Sequence, residues 1–238
     1  AFGKLFELRG SVLATNIEDK KLLALRENGE MLYSEAEIVE LRSNVRIERI
    51  FLLDKYLNQD TFKSLTTEEK RTYLNKHQSF VEITSSVKNA LKEANIIVYS
   101  SGTQHSSLYP TYMSKGLAKE IVRNSSALKI FITNIGADYE SPSYQASDFI
   151  EGAYRYLQLS ENVDYNISDL FSYNLVNEPL KLKKDDNSYV KIDKEKLSQI
   201  DIPFIIENYE SSDQLGKHDG DKLRKKILNL YKSFKSES

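Results

Sequence analysis

The chain contains no cysteine. That excludes a disulfide framework, a thiolate nucleophile and any zinc or iron–sulfur site built on cysteine, and it fits a reducing compartment. An excess of basic charge is missing too: 33 Lys and Arg stand against 35 Asp and Glu, a formal net charge of -2. Such a balance gives no strong footprint for a phosphate backbone, so no nucleic-acid partner is expected. The concentrated basic run from Lys222 to Lys235 reads as a solvated helix face. No stretch approaches the ~20 apolar residues of a membrane span, so no membrane partner is expected either. The opening segment Ala1 to Phe6 is too short for a signal peptide and has no small-residue cleavage site; the expected location is cytoplasmic.

Several catalytic signatures are also missing. No G-x-S-x-G elbow, no G-x-x-x-x-G-K-[ST] and no G-x-G-x-x-G occurs, so hydrolase chemistry of those kinds has no support. His77, His105 and His218 lie far apart with no carboxylate at ligand spacing, which speaks against a metal triad. Of the three, His105 alone lies in a polar loop.

What is present has the length, 238 residues, of one large α/β domain or one domain with a small appendage. Such a chain buries a sizeable core without staples. Residues 1–54 read as β-rich. Leu22 to Leu25 and Glu30 to Tyr33 flank Asn28-Gly29, a strong hairpin signal, and Ile47 with Ile50 to Leu53 supplies a further strand. Residues 55–84 read as a polar helical insertion, where Thr66 and Glu69 have capping-box spacing.

Residues 85–238 read as the α/β core. Ile96 to Tyr99 and Leu128 to Thr133 are short apolar runs, as expected of strands buried on both faces. Tyr173 to Val176, Tyr189 to Ile192 and Phe204 to Glu207 are further strand candidates. Met113, Leu117 and Ile121 share one helical face, and so do Ile150, Ala153 and Leu157, with Ser147 or Asp148 as the cap. Leu223, Ile227, Leu230 and Phe234 form the stripe of a closing helix. Strands alternating with helices imply a Rossmann-like, doubly wound, mostly parallel sheet, with a small β-hairpin region near the N-terminus.

In such sheets ligands bind beyond the carboxyl ends of the strands. Two loops qualify. Ser100 to Ser107 follows a strand and opens a helix, offering hydroxyls, one glycine and exposed amides for an anion; plain capping chemistry fits the same residues. Asn134 to Asp148 places an amide at a strand end and a carboxylate at a helix start. That pair suits a ribose, a sugar hydroxyl or Mg²⁺, and equally a turn Asn with an N-cap Asp.

At these loops the chain resembles a known family, the 2-phospho-L-lactate transferase and gluconeogenesis-factor proteins, also described as CofD-like or UPF0052-like. The family's G-P-G-S-L-Y-T-S-x-x-P-N loop corresponds to Ser100-Ser101-Gly102-Thr103-Gln104-His105-Ser106-Ser107-Leu108-Tyr109-Pro110-Thr111. Ser100 and Ser101 replace its first Gly-Pro, and Thr111 replaces its Asn. Its N-L-x-T-Q-x-G-E-T-x-G-Y-x-A-S-D-H is matched at Asn134, Glu140, Tyr144, Ala146, Ser147 and Asp148, with a loop one residue shorter. Lys115 to Ile121 is similar to P-G-I-A-E-A-I, Gly10 to Asn16 to G-R-V-L-P-A-T, and His218-Asp219 to H-D-P-x-K-L.

The resemblance implies a ligand site at Ser101, Gly102, Thr103, Ser106, Ser107, Asn134 and Asp148, with Mg²⁺ as cofactor and Asp148 as its ligand. It implies a nucleotide, a nucleotide-sugar or a deazaflavin-type small molecule as partner. A transferase would move a phosphoryl-lactyl-type group from a nucleotide diphosphate donor to a flavin-like acceptor; the alternative is a non-catalytic, UDP-sugar-binding metabolic regulator. A third reading is a structural or interaction module. The family's opening strand and G-G-G-T-G loop find no counterpart, so the expectation is a fragment of a longer protein that binds nucleotide weakly or not at all. Oligomeric state stays open, a homo-oligomer included.

Overall fold

Glycine at position 29 allows a positive φ of 84°, and the turn it makes opens the fold. The computed structural model describes residues 10–179 and 188–237. Strand β1 (Lys21–Arg26) turns at Asn28-Gly29 into β2 (Met31–Leu32), with Ala24 opposite Leu32. Ser34 caps helix α1 (Glu35–Glu40) by accepting the Glu37 N–H. Strand β3 (Ile47–Leu53) then pairs antiparallel on the far side of β1, giving the order β2-β1-β3.

The period-2 alternation of these strands splits their side chains between two cores. Leu23, Leu25, Phe51 and Leu53 face Phe62 of α2 (Gln59–Lys63) and Leu74 of α3 (Thr67–His77). The Thr66–Glu69 capping box expected from the spacing starts α3. Ala24, Ile50 and Leu52 point the other way, into the main core. The small sheet is therefore a layer between the polar helices and the rest of the molecule.

The main core is built on four parallel strands. Helix α4 (Ser85–Glu93) leads into β4 (Ile96–Tyr99). A π-helical turn (Gln104–Leu108), α5 (Tyr109–Tyr112) and α6 (Leu117–Arg123) lead into β5 (Leu128–Ile132). Then follow α7 (Ala146–Gln158), α8 (Ile167–Leu170), β6 (Tyr173–Asn177), α9 (Lys194–Leu197), β7 (Phe204–Glu207) and α10 (Gly220–Glu237). The order is β4-β5-β6-β7, and Ile96 to Tyr99 lie in register with Leu128 to Phe131.

Both faces of this sheet are covered, as parallel sheets require. Ile97, Tyr99 and Phe131 pack with Phe149, Ile150, Ala153 and Leu157 of α7. Leu128, Ile130, Ile132 and Leu175 pack against Leu223, Ile227, Leu230 and Phe234 of α10, the stripe read from the sequence. The architecture is thus α/β and Rossmann-like, with a small antiparallel sheet beside it. Among the described residues no helix is long and apolar enough to cross a membrane.

Two local readings are corrected. Met113, Leu117 and Ile121 are buried but do not share one helix: the chain leaves α5 at Tyr112 and restarts after Gly116, whose φ is 86°. Spacing of four reports a common face and is silent about a left-handed glycine between the turns. Tyr189 to Ile192 form no strand; Tyr189 bridges Gly136 and Lys191 bridges Gln145, each in isolation.

Gly29→Ala tests the hairpin. A Cβ there would lie 2.1 Å from the Thr67 hydroxyl and would hold alanine at positive φ. The expected cost is about 1–3 kcal/mol, read by urea unfolding.

Candidate functional site

The strands end together, at Tyr99, Ile132, Asn177 and Glu207, so their loops share one edge of the sheet. Asn134 joins the first two loops. Its Nδ2 donates to the Gly102 carbonyl at 2.9 Å, and its Oδ1 accepts the Gly102 N–H at 3.1 Å. A side-chain amide thereby continues the lateral bonding of β4 with β5 past the point where the strands stop.

A second link is ionic in character. Glu140, 3% exposed, accepts the His105 N–H at 3.1 Å and the Ser106 N–H at 2.9 Å through Oε2, and the Ser106 hydroxyl at 2.6 Å through Oε1. The amides expected to receive an anion are thus capped by a carboxyl group of the protein itself. Burial raises the Glu140 carboxyl above its ordinary value, and the Ser106 bonds oppose that shift. Burial likewise raises Asp138, which accepts the Ser141 N–H at 2.8 Å and lies 3.5 Å from Asn134 Nδ2.

The hydroxyls of Thr103 and Ser107 join the same cluster, 3.2 and 3.3 Å from the Ser106 hydroxyl. Thr103 and Ser107 are exposed and share a hydrogen bond of 2.8 Å. Ser101 meets His218 Nδ1 at 3.2 Å, which brings the 208–219 segment to the same edge. Asp219 beside it accepts the N–H groups of Asp221 and Lys222 at the start of α10. His105 is a core residue: it is fully buried, Tyr144 Oη lies 3.3 Å from its Nε2, and burial pushes the imidazole from 6.5 down to about 3.

Helix α7 also starts on protein carboxylates. Gln145 stands at the N-cap, in place of Ser147 or Asp148 as the sequence reading had it. Asp148, at the third helical position, accepts the Gln145 N–H at 2.8 Å and pairs with Arg46 at 3.1 Å. Ser147 gives its N–H and hydroxyl to Asp193. Sequence separation hid these partners, since Arg46 and Asp193 lie 102 and 46 residues from the groups they bind.

Several cavities adjoin the site among the described residues, and two of them share Tyr144. A cleft of ≈ 610 Å³ runs between Ser43 and Asn44 of the small-sheet region and the 137–145 loop, with Asp138, Tyr139, Ser143, Tyr189 and Lys191 on its walls. Tyr139 is exposed and carries the Arg42 guanidinium over its ring at 4.1 Å. Ser143 adopts φ 60°, and its carbonyl accepts from Arg46 at 2.6 Å. A positive φ at a non-glycine residue is strain held by its surroundings. Asp148 lines a different pocket of ≈ 290 Å³, with Arg46, Glu48, Glu151 and Arg155; Tyr144 is a wall common to both.

Of the residues singled out in the sequence, Ser101, Gly102, Thr103, Ser106, Ser107 and Asn134 therefore converge on one edge, and Asp148 stands across Tyr144 from them. Among the described residues no three His, Asp or Glu side chains gather as metal ligands. Glu140, Arg46, Asp193 and Tyr139 were not singled out. Glu140 alone had a signal, its place in the second family motif.

His105 gives a pH test. Unfolded, it protonates near 6.5; folded, near 3, so the native state binds fewer protons between those values. This part of the stability is present above about pH 6.5 and is lost as pH falls toward 3, by up to about 1.4 kcal/mol per unit. Urea unfolding at about pH 7 and about pH 4.5 should show a larger acid loss in the wild type than in His105→Gln. Equal losses would remove His105 from the linkage.

Comparison with known proteins finds relatives of this fold and a matching family. A gluconeogenesis factor of Listeria innocua serovar 6a is 27% identical over 150 residues, 62% of this chain and 45% of that protein. Two crystal structures of protein BH3568 from Bacillus halodurans, a member of the UPF0052 family, share the fold at 20% identity with TM-scores of 0.71 and 0.70. They cover 95% of this chain, which spans 64% and 65% of theirs. The chain thus spans less than two-thirds of the length of these relatives. Residues 1–209 match the family described as 2-phospho-L-lactate transferase CofD, and the chain belongs to that family.

Proposed function

We propose that the strand-end edge binds a phosphorylated, nucleotide-type small molecule, which lies along the cleft beside the 137–145 loop. The observation that carries this reading is continuity. Asn134 holds the Gly102 turn, Asp138 sits 3.5 Å from Asn134, and Asp138 and Tyr139 line the cleft. Exposed hydroxyls of Thr103 and Ser107 supply partners for a sugar or ribose. Tyr139 supplies a ring for a planar group. Lys191 and the neighbouring Arg42 supply positive charge for phosphate.

In the transferase form of this reading, the whole protein moves a phospho-linked group from a nucleotide diphosphate to a flavin-like acceptor. Positioning and neutralisation of phosphate charge would do most of that work. The regulatory form, binding a UDP-sugar without turnover, has one observation in its favour: Asp148, the carboxylate the resemblance offers to a metal, is engaged by Arg46 and Gln145. An adjacent guanidinium disfavours a cation there. Mg²⁺ therefore enters the reading as counter-ion of the ligand's own phosphates. The family and the absence of a membrane-crossing helix among the described residues fit a cytoplasmic small-molecule binder.

Thermal unfolding with a UDP-sugar, GDP and a deazaflavin tests the proposal. A ligand at about a hundred times its dissociation constant adds about 2.7 kcal/mol, a rise of several degrees. Tyr139→Ala should weaken that ligand about tenfold while the unliganded melting temperature changes little. No stabilisation of the full-length protein by any of the three, or an unchanged affinity in the variant, would overturn the site.

A further inference from the structure

We infer that Asp138 sets the ligand specificity of the cleft: its carboxylate takes the hydroxyls of a sugar diol, and the phosphates of the same ligand lie toward Lys191 and Arg42. The inference deepens the proposed function and rests on it.

The cleft of ≈ 610 Å³ has one acid and one base on its walls, Asp138 and Lys191. Among the described residues neither forms an ion pair, with the other or with any third group. Asp138 accepts two hydrogen bonds from the protein. The Ser141 N–H reaches Oδ1 at 2.8 Å, and Asn134 Nδ2 lies 3.5 Å from Oδ2. Neither donor can accept in return, because the Asn134 amide is oriented by the carbonyl and N–H of Gly102. Donors of this kind favour the ionised carboxylate, against the burial that raises it. A contact of 3.5 Å is weak, so Oδ2 keeps capacity to accept from a ligand in the cleft.

Donors are therefore what this wall selects. A diol gains charge-assisted hydrogen bonds at Asp138, whereas a phosphate there meets a like charge. Lys191, which is exposed, and Arg42, held 4.1 Å over the Tyr139 ring, offer phosphate the opposite sign. A ligand that carries both groups has one favourable direction in the cleft. A metal ion is a poorer match for Asp138, since amide donors face its carboxyl and no group of three His, Asp or Glu ligands gathers among the described residues. Asp148, the carboxylate that the sequence offered to a ribose or a sugar, is engaged by Arg46 and Gln145; Asp138 is not engaged by any cation.

Calorimetry on the full-length protein tests this with two pairs of probes, GDP against its dideoxyribose analogue and UDP-glucose against UDP. In at least one pair, loss of the diol should weaken wild-type binding about tenfold or more, and Asp138→Ala should erase that difference while binding the poorer member as the wild type does. The first pair assigns the diol to the ribose, the second to the hexose. Inorganic pyrophosphate without added metal should bind Asp138→Ala at least as tightly as the wild type, and Lys191→Ala about tenfold more weakly. A wild type that ignores the diol in both pairs, or equal weakening of both members by Asp138→Ala, would overturn the inference and leave the proposed site standing. Pyrophosphate that loses affinity in Asp138→Ala, or keeps it in Lys191→Ala, does the same. Where Asp138→Ala does not fold, Asp138→Asn, which keeps an acceptor for the Ser141 N–H, decides on the same comparisons. A wild type that binds none of the probes overturns the proposed function and this inference with it.

Discussion

The carboxylate of Glu140 reaches across from the β5 loop to the β4 loop and neutralises the open amides of His105 and Ser106. Much of the edge depends on that contact. It fixes the turn that buries His105 against Tyr109 and Tyr144, and it stands next to the Asn134 clamp on Gly102. Buried donors without partners cost about 1–3 kcal/mol each, so an internal carboxyl group that satisfies two of them organises both loops. The same principle recurs at α7, where Asp193 and Asp148 serve the first turn. Both helix starts at the ligand edge are thus satisfied from within.

That pattern bears on chemistry. The family description names a transferase, and the curated relative is a gluconeogenesis factor. What this chain places at the edge is a set of neutral hydroxyls, an exposed tyrosine and a few cations around a cleft of ≈ 610 Å³. The strained Ser143, held by Arg46, ties the cleft wall to the small-sheet region.

The sheet was legible because local pattern and tertiary role agree. Leu128 to Ile132 is the fully buried inner strand its run suggested, whereas Ile96 to Tyr99 is the edge strand among the described residues, with Val98 42% exposed where burial on both faces was expected; Asn28-Gly29 encodes its own turn. The stripe on α10 named its face correctly before any partner was known. Gly116 and the Tyr189 segment escaped because their conformations are decided by neighbours: Glu161 accepts the Gly116 N–H, and Tyr189 meets Gly136 in a single bridge. The site was legible by residue type and opaque by wiring. Five polar residues and Gly102 converge on one edge, yet which carboxyl group serves which amide turns on contacts 34 to 102 residues apart.

A double-mutant cycle on the unfolding free energy, combining Glu140→Ala with Ser106→Ala, measures the central contact most directly. A charge-assisted hydrogen bond between buried partners should give a coupling energy of about 1–3 kcal/mol. Strictly additive losses would contradict the account, because they would mean that the carboxylate and the Ser106 hydroxyl do not depend on each other.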